Sequence, residues 1–436
     1  MKFSPAIAAP AVLVIPRNYP GGYALVQYDS FIENHSAVSV SDGQLVMHKE
    51  ADGPRWDVGV RGESISRIEY EVNIERMEQE LRDAIDTSKV RPRYVGLLGY
   101  SVFGYVDGLE TRAVELEIEA PQSWPVFTTL APVTDAKNSA SAKAPNYYAL
   151  ADSQIMMGPD LRVRAFPGKI PLFLAAYAEN EEDLALEGKL ARTALDRVQS
   201  YFGTTPFLQY SVQLELLNPR PDHDYGFSQE HLDSGTFSLA ISRAITPRSS
   251  ERARQSSLFN YAHHMAHCWI PKRAYGEGYL PFTWEMPPVI DTVWFNEGFG
   301  RYAAIQALAA GMSRAEGKSF RDQQLADLRT VLEEAPQFIN QMPLLVLSRE
   351  ASFMYTRDFR IGQNIFARGA LMAAEIDDRI QSRTNGQKSL RDVFRYLVEH
   401  NLRSPRAFKV DELAGMCRDA TGVDVHDIFE RWMTAK

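Results

Sequence analysis

The sequence predicts an α+β protein of several domains, and three observations carry that prediction. The chain has 436 residues, and at about 150 residues per domain that length accommodates about three. From residue 1 to about 166, short runs alternate polar and apolar positions between turn residues; after residue 250, apolar positions recur at helical spacing. The expected divisions are 1–168, an antiparallel β-sandwich; 169–320, a mixed α/β region; and 321–436, a helical region.

The N-terminal strand expectations fall at 23–28, 37–40, 44–48, 68–72 and 113–118. Residues 1–20 contain an apolar patch broken by Pro5, Pro10 and Pro16, which reads as a strand with 11–15 buried rather than as a signal peptide. Residues 135–144, rich in Ser, Ala, Lys and Asn, read as a surface loop. A strand at 171–177 then leads into a helical pattern over 180–202, which Gly203 and Pro206 end.

Beyond residue 250, Ser256 or Ser257 is placed to cap a helix running to about Trp269, with Leu258, Tyr261, Ala262, Met265 and Trp269 as its apolar stripe. Asp291 or Thr292 is placed to cap a second helix that ends at Gly311. Ser389 with Asp392 has the spacing of a capping box before further helices.

Composition removes several function classes. Hydrophobic residues make up 45% and charged residues 24%, an ordinary globular balance, and 56 acidic against 47 basic residues give a net charge of -9. With no basic stripe, nucleic acid is not an expected partner. No apolar run reaches the about 18 residues of a membrane span. Cys268 and Cys417 are too few for a disulfide framework and say nothing about compartment, so a cytoplasmic or a periplasmic setting fits equally. Gly226, Phe227, Ser228, Gln229, Glu230 lacks the second glycine of a serine-hydrolase nucleophile elbow.

The residues that suggest chemistry lie in two helices. His263 and His267 stand at i and i+4, one turn apart on one face, so two imidazoles can reach one metal ion. Helical His pairs also arise by chance, so the following helix has to discriminate. There Glu297 sits inside Trp294, Phe295, Asn296, Glu297, Gly298, Phe299, and a carboxylate in apolar surroundings is costly unless it is paired or metal-bound. A salt bridge from Glu297 to Arg301 at i+4 is the competing explanation. Gly298 and Gly300 inside a helix each cost about 1 kcal/mol relative to Ala, which points to close packing or function.

The segment from His263 to Tyr302, with Trp269, Lys272, Arg273, Pro281, Phe282 and the run WFNEGF, resembles the glycyl-aminopeptidase family of gluzincin zinc metallopeptidases, with HHMAH standing where that family has HExxH. Weaker matches extend outward through Pro16, Pro20, Gly21 and Tyr23, through Trp124, Thr128, Thr129 and Leu130, and through 367–377 and 384–393. The resemblance implies a thermolysin-like domain over 169–320 and zinc held by His263, His267 and Glu297. It also implies a peptide or protein N-terminus as partner, its amino group taken by Glu230 beside His231 in a strand at 225–231. The family usually continues into a PDZ-like domain, outside these 436 residues.

Two catalytic positions depart from the family pattern. His264 stands where the family has its general-base Glu, and Phe366 stands where it has a Tyr that donates to the oxyanion. The expectation is therefore a homologue that keeps the metal ligands and has impaired or lost hydrolysis. The alternatives are an active zinc aminopeptidase with His264 as base, and a metal-free binding or scaffold protein.

Overall fold

The computed structural model describes residues 1–121, 124–131, 140–180, 184–221 and 223–434. The chain forms two compact units. One comprises Met1–Val163, Pro221–His223 and Thr283–Pro287; the other comprises Arg164–Arg220, Asp224–Phe282 and Pro288–Lys436.

The first unit is built of antiparallel sheets, as its period-two runs predict. One sheet orders Lys2–Ala8, Ser64–Val72, Ile32–Ser39 and Gln44–Leu45; a second orders Tyr105–Val106, Ala11–Val14, Arg55–Val58 and Met47–Lys49. A third orders Val126–Thr128, Gln154–Met157, Tyr94–Leu98 and Lys89–Arg91. Leu13, Val14, Trp56, Val58, Ile65 and Ile68 fill the interior, with strict alternation only at Trp56 and Val58. The opening patch is accordingly two strands with Leu13, Val14 and Ile15 inside.

Three local expectations are corrected here. Residues 23–28 form no strand, because Gly21 at φ 87° and Tyr23 at φ 44° turn the backbone out of the extended region; Tyr23, Ala24, Val26 and Tyr28 are buried all the same. Residues 44–48 divide between two sheets, Gln44–Leu45 in the first and Met47–Lys49 in the second. Of the expected loop at 135–144, residues 135–139 lie outside the described residues, and Ser141–Ala144 is a strand paired antiparallel with Val114–Glu117.

The second unit opens on a mixed five-stranded sheet in the order Arg162–Phe166, Leu172–Ala178, Tyr210–Leu217, Ser234–Ala240, Gly226–Glu230. Leu172–Ala178 and Ser234–Ala240 both run parallel to Tyr210–Leu217, and the edge strand Gly226–Glu230 is antiparallel. The parallel pair requires a crossover, which the helix Leu184–Phe202 supplies; residues 181–183 of the expected helix lie outside the described residues. Every residue of Tyr210–Leu217 is buried, as a central strand covered on both faces must be.

The helix carrying the histidines is Glu251–His267, not a helix beginning after Ser256 or Ser257. Ser250 caps it, its hydroxyl accepting from Ala253 N at 3.2 Å. Residues 251–255 are mainly polar, so the apolar stripe begins a turn after the helix does. Glu187, buried in the crossover helix, ties this helix down: it accepts from Tyr261 Oη at 2.9 Å and from Ile245 N at 2.8 Å. The helices Arg314–Glu334, Leu344–Met354, Phe359–Arg383 and Leu390–Arg403 complete the surroundings of the site. At the last of them Ser389 N donates to Asp392 Oδ2 at 2.9 Å, as the expected capping box requires.

Candidate metal centre

Glu297 sits in a single π-helical turn, Trp294–Phe299, that runs on into the α-helix Gly300–Ala310. The expected second helix thus exists and ends at Gly311, but its first turn is wider than α, a distortion that concentrates at functional sites. Two buried serines fix its entry: Val293 N donates to Ser348 Oγ at 2.7 Å and Ile290 N to Ser352 Oγ at 3.0 Å. The glycines explain why the turn fits. A Cβ on Gly298 would lie 2.4 Å from Gly369 Cα, and one on Gly369 would lie 2.1 Å from the Trp294 carbonyl oxygen. Gly300 passes His267, where a Cβ would meet the ring at 3.0 Å.

This backbone-to-backbone contact holds the Glu297 turn against the helix that carries Phe366. Gly369→Ala is therefore expected to cost about 1–3 kcal/mol, the range of overpacking substitutions. Thermal or denaturant unfolding measures it, and an unchanged midpoint would mean that the two segments separate freely.

The three expected ligands converge. His263 Nε2 lies 3.2 Å from His267 Nε2, and Glu297 Oε2 lies 3.4 Å from His267 Nε2 and 3.9 Å from His263 Nε2. All three residues are buried, and among the described residues they are the group of His, Cys, Asp and Glu side chains whose ligand atoms lie within 4.8 Å of one another. Ligand atoms about 2.0–2.2 Å from a tetrahedral ion stand about 3.3–3.6 Å apart, so the observed spacing suits zinc, and two imidazoles with one carboxylate are a zinc donor set. The competing Glu297–Arg301 salt bridge is not formed: Glu297 faces the histidines, and Arg301 lies over two aromatic rings.

Hydrogen bonds orient one ligand. His267 Nδ1 donates to the Ile270 carbonyl at 2.9 Å, which turns its Nε2 toward Glu297 and His263. The Nδ1 of His263 is buried and has no hydrogen-bond partner. The charges are unequal as well. Burial, with His267, His264 and Arg301 close by, holds His263 neutral, well below the usual histidine range. Burial also opposes charge on His267, but the Glu297 and Glu230 carboxylates outweigh it and bring its pKa to about 9 without a metal ion.

Around the triad the structure places the other expected residues. Phe366 meets the His263 ring edge-on with centroids 5.7 Å apart. His264 directs Nδ1 at the Asn260 carbonyl, 2.9 Å away, and packs against Phe237, with the Ser228 backbone also bonded to the ring; burial lowers its pKa. Glu230 ends the edge strand, buried, and its carboxylate acts on both His264 and His267, while its Oε1 has no hydrogen-bond partner. His231 is turned away into a bond between its Nε2 and Thr236 Oγ1 at 2.9 Å.

Sequence reasoning passed over Phe259, whose ring stacks on His263 with centroids 6.2 Å apart. Its position four residues before His263, on the same helical face, was the available signal. Arg301 has the sequence spacing of a partner for Glu297, and nothing local in the sequence marks its place over the Phe259 and Phe366 rings.

Comparison with known proteins fits this architecture. Residues 1–159 match the Peptidase M61 N-terminal domain. A solved structure of an aminopeptidase N family protein from Idiomarina loihiensis superposes with a TM-score of 0.84 at 18% identity, covering 99% of this chain and 73% of that one. An M1 zinc metallopeptidase from Deinococcus radiodurans gives 0.52 at 16% identity, covering 97% and 85%. A mutant two-domain M1 zinc metallopeptidase bound to L-arginine gives 0.53 at 16% identity, covering 93% and 84%. No curated protein matches significantly. The fold is that of the aminopeptidase-type metallopeptidases. No helix among the described residues is long and apolar enough to cross a membrane.

Proposed function

We propose that the chain is a zinc-binding homologue of the glycyl-aminopeptidases that captures the free N-terminus of a peptide and turns it over slowly or not at all. The observation that carries this reading is that three ligand atoms stand at zinc spacing while His264 and Phe366 occupy the two positions nearest them that hydrolysis needs. On this reading residues 169–320 form the metallopeptidase-type domain and 321–436 the helical one.

His263, His267 and Glu297 would hold the ion. When bound, zinc supplies Lewis-acid polarisation of a substrate carbonyl. Glu230 offers a buried carboxylate oxygen without a partner, and an α-ammonium group satisfies it both as donor and as charge. His264 has committed one ring nitrogen to the Asn260 carbonyl and turns its ring to the edge strand, so it is poorly placed to take a proton near the triad. Phe366 has no hydroxyl to give to an oxyanion. That a metallopeptidase of this fold is bound to L-arginine supports a free amino acid end as the recognised group.

Calorimetric titration of the zinc-loaded protein with triglycine and with N-acetyl-triglycine tests the reading. Triglycine is expected to bind about 10-fold to 100-fold more tightly, the range for a hydrogen bond to a charged group, and Glu230→Gln is expected to remove the difference. Equal binding of the two peptides by the wild type would sink it.

A further inference from the structure

Arg301 lies one helical turn beyond Glu297, with its guanidinium turned to aromatic rings rather than to a carboxylate. Its guanidinium carbon stands 4.9 Å from the centroid of Phe259 and 6.0 Å from that of Phe366. Those two rings are the ones that pack on His263, at 6.2 Å and 5.7 Å, so one aromatic ring separates the cation from the metal ligands on each side. Its Nε is shielded from solvent and donates to nothing, and among the described residues no carboxylate approaches within ion-pair distance. Burial pushes the guanidinium below its usual range, which the charges of Tyr355 and Asp327 only partly offset; Asp327 is bonded to Gln323 at 2.8 Å.

An arginine with five donors in a planar fork is suited to a bidentate carboxylate. Arg301 is half-buried, and a ring face offers its fork attraction but no hydrogen-bond acceptor. The two phenylalanines therefore position the fork without satisfying it. Glu230, at the end of the edge strand, is the complementary case: a buried anion with an unpartnered oxygen.

We propose that Arg301 anchors a carboxylate of the bound ligand, so that the site takes short peptides held at both ends, the ammonium by Glu230 and the carboxylate by Arg301. This rests on the peptide-capture reading above and narrows its substrate class. An extended peptide advances about 3.5 Å per residue, so two or three residues reach past one aromatic ring. The carboxylate belongs either to the peptide C-terminus or to an acidic side chain, and the same chemistry recognises both.

The test is calorimetric titration of the zinc-loaded protein with Gly-Ala, Gly-Ala amide, Gly-Asp amide and N-acetyl-Gly-Ala, in the wild type and in Arg301→Gln and Arg301→Lys. In the wild type, loss of the only carboxylate between Gly-Ala and its amide is expected to weaken binding about 10-fold to 100-fold. Recovery with Gly-Asp amide assigns the side-chain source, and no recovery assigns the C-terminus. Arg301→Gln is expected to bind acid and amide alike while still rejecting the acetylated peptide, and Arg301→Lys to keep part of the preference, which excludes simple misfolding. If the wild type binds Gly-Ala and its amide equally while N-acetylation still weakens binding, the Arg301 anchor is wrong and peptide capture stands. If acid is preferred over amide but acetylation has no effect, Arg301 stands and capture through Glu230 is wrong. Absence of binding by every peptide overturns both.

Discussion

Protein purified without chelator is expected to contain close to one zinc ion per chain, and His267→Ala to contain almost none. His263 and His267 come from adjacent turns of one capped helix, Glu297 comes from a π-turn clamped by Gly298 and Gly369, and the three ligand atoms already stand 3.2–3.9 Å apart. Little rearrangement is left for the ion to drive, so binding energy goes into affinity instead of folding. His267 is the decisive ligand because its Nδ1 is fixed by the Ile270 carbonyl and its Nε2 is close to both other ligand atoms. Removing it leaves an imidazole and a carboxylate, too few for a stable three-ligand site. Because zinc bound at 1,000 times its Kd stabilises the native state by about 4 kcal/mol, added zinc should raise the melting temperature of the wild type and leave that of His267→Ala unmoved. Elemental analysis and paired melts read the two quantities. Equal zinc content in both proteins would remove these residues as the ligand set.

That site was largely legible in the sequence, because its signal is local. HxxxH on a helix fixes two donors, and a glutamate inside WFNEGF has few reasons to exist except pairing or metal. The glycines carried the same information, since Gly298, Gly300 and Gly369 mark where backbone or a ligand ring approaches too closely for a Cβ. What failed to show was whatever depends on partners distant in sequence. Arg301 has the i+4 spacing that favours a salt bridge with Glu297 in an isolated helix, yet the histidines claim the carboxylate and Phe259 and Phe366 claim the cation. The π-turn is invisible to a periodicity of 3.6, because one wide turn shifts the register by less than the pattern can resolve. In the first unit, 23–28 has strand-forming side chains, but the positive φ of Gly21 and Tyr23 decides the path. Ser141–Ala144 is a strand whose Ala142, Lys143 and Ala144 have low strand propensity, held by its partner Val114–Glu117.

Wild-type protein is expected to hydrolyse N-terminal Gly and Ala substrates very slowly, and the double variant His264→Glu, Phe366→Tyr to gain at least about 100-fold. Loss of a general base costs about 100-fold to 10,000-fold and loss of one oxyanion donor about 100-fold to 1,000-fold, and the two need not add. The positions are suited to restoration. His264 follows the first ligand on the same helix, where a Glu has no aromatic ring to park against Phe237 and no Nδ1 to bond to Asn260, so its carboxylate is released toward the triad. Phe366 is already edge-on to His263, and a tyrosine in the same rotamer keeps that contact and adds a donor at the ring tip. The single variant His264→Glu separates the two contributions: gain from it alone assigns the deficit to proton transfer, and gain only in the double variant shows that the oxyanion must be held as well. Turnover of Gly and Ala p-nitroanilides, before and after zinc removal, is the measurement. A wild type as fast as the double variant, with activity lost on chelation, would show that His264 works as the base and that capture without turnover is the wrong reading.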